Sequence, residues 1–330
     1  MSFALRPRAR GQRALCEGEG MATRRQAWAE VDAGLRADVE ALLGAPVVAA
    51  ESQPGGFSPG SADRVRLADG RRAFVKTGTD AVNPDVVGIH RREAAISALL
   101  PPEIPAPRFL GVVDHGDRIA LILEDVEARH PHTPWVRDEL VAVLGALGSV
   151  AERPVPAAEA IVDMATVAGH YGSGWSRIDR VPSLPATLPG WVAERLPWLR
   201  DEGLRMPDAV AGDRLVHHDV RADNVLLRPD GSVVLIDWPW AARGAGWLDA
   251  LTLLFNVRYL DPEADVEAVV AEHPVFAGMP ALDADRVLIA IAGHFLAVSQ
   301  EPDVPGIPTL RAFQYDQAVA ILGWLQERLA

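Results

Sequence analysis

Residues 215–240 read LVHHDVRADNVLLRPDGSVVLIDWPW, and the local geometry written into that stretch decides the fold. Residues 225–227 (VLL) and 233–236 (VVLI) are short apolar runs of the kind that form buried strands. Between them, Pro229-Asp230-Gly231 supplies a two-residue Asp-Gly hairpin turn. A turn centred on Asp230 and Gly231 sets Asn224 directly opposite Asp237 at the open end of the hairpin. Opposed strand positions hold their Cβ atoms about 4.5–5.5 Å apart. That spacing lets an amide oxygen and a carboxylate share one Mg²⁺, an ion that takes oxygen ligands at about 2.1 Å and completes its shell with water and phosphate.

Asp219 precedes Asn224 in the loop that enters the hairpin. It can approach the same space without binding the ion, as a base for a substrate hydroxyl should. Arg221, two residues on, could reach a terminal phosphate. His217, flanked by Val216 and His218, is expected to pack under the loop and hold its backbone. A zinc site at His217-His218-Asp219 is disfavoured, because no Cys and no helical His-x-x-x-His pair accompanies it.

Outward from the hairpin, two residues in the first third of the chain break their local pattern. The chain holds 32 Lys plus Arg, and Lys76, in RRAFVKTGTD (71–80), is its single lysine. An ammonium is a point charge on a flexible stem, whereas guanidinium is a planar fork. Position 76 therefore either needs the small head or carries an ordinary surface lysine. Around it, residues 47–53, 61–68, 71–76, 108–113 and 118–123 read as strands, with turns at Asp69-Gly70 and DHGD (114–117). Between the third and fourth strands, NPDVVGIHRREAAISALL (83–100) reads as a helix, with Asn83 as its cap and Pro84 in its first turn. Val86, Ile89, Ile96 and Leu100 form the stripe that should face a core. Glu93 completes that stripe, and a carboxylate there is costly without a partner. Either Glu93 lies at the stripe's edge, or a Lys76–Glu93 pair accounts for both anomalies at once. Upstream, QPGGFSPGS (53–61) could bring backbone N–H groups close to phosphate oxygens, although many glycine-rich turns are only turns.

A chain of 330 residues implies two domains or lobes. The divisions expected are a disordered extension over 1–25, a nucleotide-binding lobe over 26–127, and a catalytic and substrate lobe over 128–330. Apolar content of 49% and charged content of 23% describe an ordinary globular protein. No apolar run approaches the roughly 20 residues of a membrane helix, and the basic start lacks a secretory apolar segment. The single cysteine, Cys16, excludes an internal disulfide and fits a reducing cytoplasm. A net charge of −13 argues against a nucleic-acid partner and is compatible with a cationic substrate.

HHDVRADN followed by IDW resembles the catalytic and metal-binding segments of the aminoglycoside phosphotransferase family. The resemblance implies an α+β, bilobal protein-kinase-like fold: an N-terminal five-stranded antiparallel sheet with one main helix, and a larger, mostly helical C-terminal lobe. His217, Asp219 and Asn224 match the family's H-x-D-x-x-x-x-N, and Asp237 matches its metal-binding Asp. Lys76 and Glu93 then look like the strand-three Lys and helix Glu of the kinase fold. PGGFSPG, with Gly56, Phe57 and Ser58, is similar to the nucleotide-positioning loop. LILEDV (121–126) is similar to the hinge, so that backbone groups of Glu124, Asp125 and Val126 would bind adenine. Asp249, in GWLDALTLL, matches the Asp that opens a buried helix and braces the catalytic loop. The family's loop usually reads H-G-D-x-H-P-x-N; here His218, Arg221 and Ala222 replace Gly, His and Pro. Arg221 stands where protein kinases place a catalytic-loop Lys.

The implied activity is transfer of a γ-phosphate from ATP (or GTP), with Mg²⁺, to a hydroxyl of a small molecule. An aminoglycoside or related antibiotic leads, which makes a cationic acceptor one expectation. A metabolic alcohol such as choline, homoserine, a thiosugar or a nucleoside-like compound is the alternative, and a catalytically silent nucleotide-binding protein stands as a reading of a different class. A monomer or homodimer without membrane attachment is expected. Residues 262–272, 282–300 and 309–329 read as helices that would form the acceptor wall. Asp261, Glu263, Asp265 and Glu267 are either an acidic wall for an amine-bearing sugar or a helix-start preference for acids. Trp238, Trp240 and Trp247 line either a ring pocket or the core.

Overall fold

A computed structural model of the chain describes residues 26–53, 60–178, 188–303 and 309–330. The expected extension over 1–25, with Cys16, and Gly56, Phe57 and Ser58 of the glycine-rich turn lie outside the described residues. The protein is α+β and divides into two compact units, Met1–His90 with Leu110–Asp125, and Arg91–Phe109 with Val126–Ala330.

The first unit opens with helix α1 (Ala33–Leu43), which the sequence reading did not foresee. Asp32 Oδ1 accepts the Leu35 N–H at 3.0 Å to start it, and Gly44, at φ 75°, ends it in the left-handed region. Five strands follow: β1 (Val47–Ser52), β2 (Ser61–Leu67), β3 (Arg72–Thr79), β4 (Phe109–Asp114) and β5 (Arg118–Leu123). They form one antiparallel sheet in the order β1-β2-β3-β5-β4. Strand alternation sends Val65, Leu67, Ala73, Val75, Ala120 and Ile122 to one face, where they pack with Trp28, Leu35, Val39 and Leu43. The opposite face receives the first half of helix α2 (Pro84–Ser97). Gly78 makes that approach possible: a Cβ there would lie 2.7 Å from Val86 Cγ1. Val86 and Val87 close over Ile119.

The second unit is mostly helical. Helices α3 (Arg137–Ala151), α4 (Met164–Gly172), α5 (Gly174–Ile178), α6 (Gly190–Glu194), α7 (Leu196–Gly203) and α8 (Met206–Ala209) precede the hairpin region. Helices α9 (Leu248–Leu260), α10 (Val266–Glu272), α11 (Ala281–Ser299) and α12 (Leu310–Arg328) follow it. Short strands β6 (Val162–Asp163), β7 (Arg214–Val216) and β10 (Ala242–Gly244) form a three-stranded sheet, and β8 (Val225–Leu227) pairs with β9 (Val233–Leu235). One core joins Leu144 and Leu147 of α3, Leu251 and Leu254 of α9, Val287 and Leu288 of α11, and Ile321 and Trp324 of α12. Trp175 of α5 is fully buried and donates to the Ile289 carbonyl at 2.7 Å. It fits because Gly293 leaves room: a Cβ there would meet the indole at 2.5 Å. No helix among the described residues is long and apolar enough to cross a membrane.

Three of the four acids at 261–267 have partners within the fold. Asp265 caps α10 through the Ala268 N–H at 3.0 Å, Asp261 accepts from the Glu263 N–H at 3.2 Å, and Glu267 pairs with Arg328 at 2.7 Å. The helix-start reading of these residues is the one the structure supports. Trp238 and Trp247 are buried in the core, while Trp240 is exposed beneath Arg92.

Candidate active site

The β8–β9 hairpin corrects the sequence-based register by one residue. Val225 pairs with Leu235, Leu226 with Val234 and Leu227 with Val233, and the Ile236 N–H donates to the Asn224 carbonyl at 3.0 Å. Asn224 thus faces Ile236, and Asp237 lies one step beyond. The cause is the turn, a three-residue loop over 229–231 in place of a two-residue one. Gly231 sits at φ 82° and donates to the Arg228 carbonyl at 2.9 Å, as expected for a type I turn closed by a left-handed residue. The ADG turn of the first unit is built the same way, with Gly70 at φ 88° and its N–H on the Leu67 carbonyl at 3.0 Å. The slip should send the Asp237 side chain to the wrong face. Asp237 itself departs from strand geometry, however, with φ 70°, a rare conformation for a residue other than glycine.

The loop before the hairpin is tied down from below. Asp249, in the first turn of α9, is buried and accepts the His217 N–H at 2.6 Å and the His218 N–H at 2.8 Å. His217 is fully buried; its Nε2–H donates to the Ile236 carbonyl at 2.9 Å and its Nδ1 accepts the Asp219 N–H at 3.3 Å. Its ring packs on Trp238 with centroids 4.5 Å apart. His217 therefore positions the loop against the end of β9. His218 is held in the left-handed region at φ 66°, and this is the position where the related pattern carries glycine.

Asn224 Nδ2 donates to both the Asp219 carbonyl, at 2.8 Å, and Asp219 Oδ2, at 3.0 Å. Both amide hydrogens are thereby used, which leaves Oδ1 as the atom able to face a cation. Arg221 forms a fork to Asp223 at 3.1 and 3.0 Å and stands 3.7 Å from Asp219 Oδ1. Burial pushes the Asp219 carboxyl up to about 7; Arg221 pulls it down, and the Asp237 and Asp223 charges push it further up. Asp237, whose charge acts on Asp219, and Asn224 carry hard oxygen donors, the kind of ligand that suits Mg²⁺ with phosphate and water completing the shell. Asp249 is likewise raised, to about 6, because burial outweighs its two backbone hydrogen bonds.

Sequence reasoning missed a wall of rings beside Asp219. Tyr171, near the end of α4, meets His218 edge-on at 5.6 Å and His294 of α11 at 4.6 Å. His294 also contacts His170 at 5.1 Å, and its Nδ1 accepts from Arg177 of α5 at 3.0 Å. Burial and the nearby Asp219 charge raise the Tyr171 phenol to about 12. A signal for this wall exists in VLIAIAGHFLAVS, where His294 interrupts an otherwise apolar run, much as Glu93 interrupts the apolar stripe of α2. An open groove of about 700 Å³ lies instead at the turn end of the hairpin, lined by Glu127, Arg129, Glu139, Arg228 and Gly231. No candidate catalytic side chain lines it, and two of its charges, Arg129 and Glu139, pair at 2.6 Å.

In the first unit, Lys76 lies on β3 between Ala62 and Leu121. Alternation places it on the sheet face that Gly78 opens to α2, away from the Val75 core. Glu93 is buried on α2, at 1% exposure, so it is not an edge residue. Asp125 is held at its side chain by Arg72 at 2.6 Å and Arg64 at 3.3 Å. Val126 packs with Leu226 and Val234.

This architecture is the protein-kinase-like fold of the aminoglycoside phosphotransferases and choline kinases. Among solved structures, an aminoglycoside phosphotransferase from Alicyclobacillus acidocaldarius matches with a TM-score of 0.54 at 17% identity, covering 88% of this chain and 96% of its own. The choline kinase LicA from Streptococcus pneumoniae matches with a TM-score of 0.58 at 14% identity, over 87% and 96% of the two chains. A spectinomycin phosphotransferase in complex with ADP and spectinomycin matches with a TM-score of 0.57 at 15% identity, over 88% and 98%. No protein-family model matches the sequence, and no curated protein does.

Proposed function

We propose that the protein is an ATP- and Mg²⁺-dependent phosphotransferase that acts on a hydroxyl of a small molecule. The observation that carries this reading is the Asp219–Asn224 hydrogen bond on a loop pinned by Asp249, with Asp237 adjacent. In this reading a candidate base and two hard oxygen donors share one place. Similarity to solved kinases that hold ADP or AMP supports a nucleotide as the donor. In this reading Lys76, steadied by Glu93, neutralises the α- and β-phosphates, and backbone groups of Glu124–Val126 hold adenine. Asn224 and Asp237 hold Mg²⁺, which supplies charge neutralisation on the phosphates when bound. Asp219 orients the acceptor hydroxyl and takes its proton as the oxygen–phosphorus bond forms. The bond from γ-phosphorus to the β–γ bridging oxygen breaks, and ADP leaves. Most of the rate comes from positioning and charge neutralisation, since the loose transition state asks little of a base. Arg221, beside Asp219, supplies a further cation to the transferring group.

The test is Mg²⁺-dependent binding of ATP, measured by calorimetry, on the parent protein and on Lys76→Ala and Asp237→Ala. Binding lost in Lys76→Ala and freed from its Mg²⁺ dependence in Asp237→Ala supports the assignment. Equal Mg·ATP affinity in all three proteins refutes it.

A further inference from the structure

We propose that Tyr171, His294 and Arg177 form the acceptor subsite beside Asp219, and that it takes a hydroxyl carried on a neutral or anionic ring compound and rejects polycations. The inference rests on the phosphotransferase reading and narrows its substrate class.

The geometry is a continuous path away from Asp219. Tyr171 touches His218, the neighbour of Asp219, and then His294, whose Nδ1 accepts from Arg177. Guanidinium only donates, so this bond fixes His294 as the neutral tautomer with its proton on Nε2. Its imidazole therefore offers the acceptor a hydrogen-bond donor and an aromatic edge, without charge. Arg177 is underused. Among the described residues its Nε is buried with no partner, and its carboxylate contact, Glu301, stands at 3.7 Å and is shared with Arg311 at 3.2 Å. A guanidinium with spare donors at the end of an aromatic wall suits a carboxylate, phosphate or carbonyl oxygen.

Beyond Asp219 itself, the described carboxylate that reaches this path is Glu301, which is already paired. Asp265 caps α10 and Glu267 pairs with Arg328 of α12, and Glu301 is matched by two arginines. The wall also reports its own preference: burial, then the Arg177 charge, then His170 and His218, hold His294 down to about 3. The Arg177 guanidinium in that group also repels a cationic substrate approaching His294.

The test is initial-rate phosphorylation, with Mg·ATP saturating, of four probes: hygromycin B, choline, a neutral methyl glycoside series and a sugar-acid series. Each is run on the parent protein and on Arg177→Glu, with Mg·ATP binding measured separately on both. The neutral or acidic series should exceed the two cations by at least about tenfold in kcat/KM. Arg177→Glu should reverse the order between the sugar acids and the cations through KM, at similar kcat. With ATP bound, a cation turned over as well as the neutral series overturns the inference and leaves the phosphotransferase reading intact. Turnover of none of the four overturns the subsite assignment. Absence of ATP binding fells the parent reading itself.

Discussion

Replacing Asp249 by Asn should change how stability depends on pH, by an amount that the burial of this carboxyl sets. Asp249 is fully enclosed, and its pKa rises from 3.8 to about 6. A folded-state value above the unfolded one means that the native protein binds more protons across that window, so unfolding free energy falls as pH rises through it. At 1.36 kcal/mol per unit, this group's contribution drops by roughly 2–2.5 kcal/mol between about pH 4 and pH 7. Asn carries no such dependence, and it keeps one acceptor while turning its amide toward the other loop N–H. One of the bonds to His217 and His218, at 2.6 and 2.8 Å, is therefore lost, a pH-independent cost of about 1–3 kcal/mol. Urea unfolding of both proteins should show Asp249→Asn well below the parent near pH 4 and close to it near pH 7. Parallel stability curves across that range would refute the claim that this carboxyl is ionised and buried beneath the loop. Asp249→Ala, which leaves both N–H groups unmatched, should cost about 2–6 kcal/mol and lower kcat at any pH.

Gly231→Ala and Gly70→Ala should each cost about 1–2 kcal/mol in denaturant unfolding, because both turns need a left-handed residue at φ 82° and 88°; an unchanged midpoint would contradict the three-residue loops. Gly78→Ala should destabilise by about 1–3 kcal/mol through its clash with Val86, and Val86→Ala in the same chain should recover part of the loss. Additive effects of these two changes would show that Gly78 and Val86 do not meet. Lys76→Arg should retain the parent melting temperature and lose most ATP-dependent turnover, since a fork does not replace the point charge; turnover near the parent level would reduce Lys76 to a surface cation.

Much of this architecture is legible in the sequence for physical reasons. The sheet of the first unit shows as period-two alternation cut by Asp-Gly turns, and Glu93 shows as a carboxylate on an apolar stripe that proves to be buried. The β8–β9 strands are equally plain, but their register depends on how many residues the turn spends. PDG permits two or three, and the distinction lies in Asp230, which lacks the positive φ of a type I′ turn, and in the Arg228 N–H donating to the Ser232 carbonyl at 2.9 Å. Asp237 compensates with a left-handed backbone that its residue type does not announce. The helices between 164 and 209 carry no comparable signal. They are short, with Pro189, Pro197 and Pro207 at the starts of α6, α7 and α8, and Trp175 of α5 enters the space Gly293 leaves. Tyr171, Arg177 and His294 come together across more than a hundred residues of chain, with no motif to link them.

Phosphorus NMR on a mixture of the protein, Mg·ATP and an accepted alcohol tests the central claim most directly. A phosphate ester should grow as ADP appears, at a rate that Asp219→Asn lowers by at least about a hundredfold, in line with the usual contribution of a positioned base, while the protein stays folded. Ester formation by Asp219→Asn at the parent rate would contradict the account, because the residue at its centre would then take no part in the transfer.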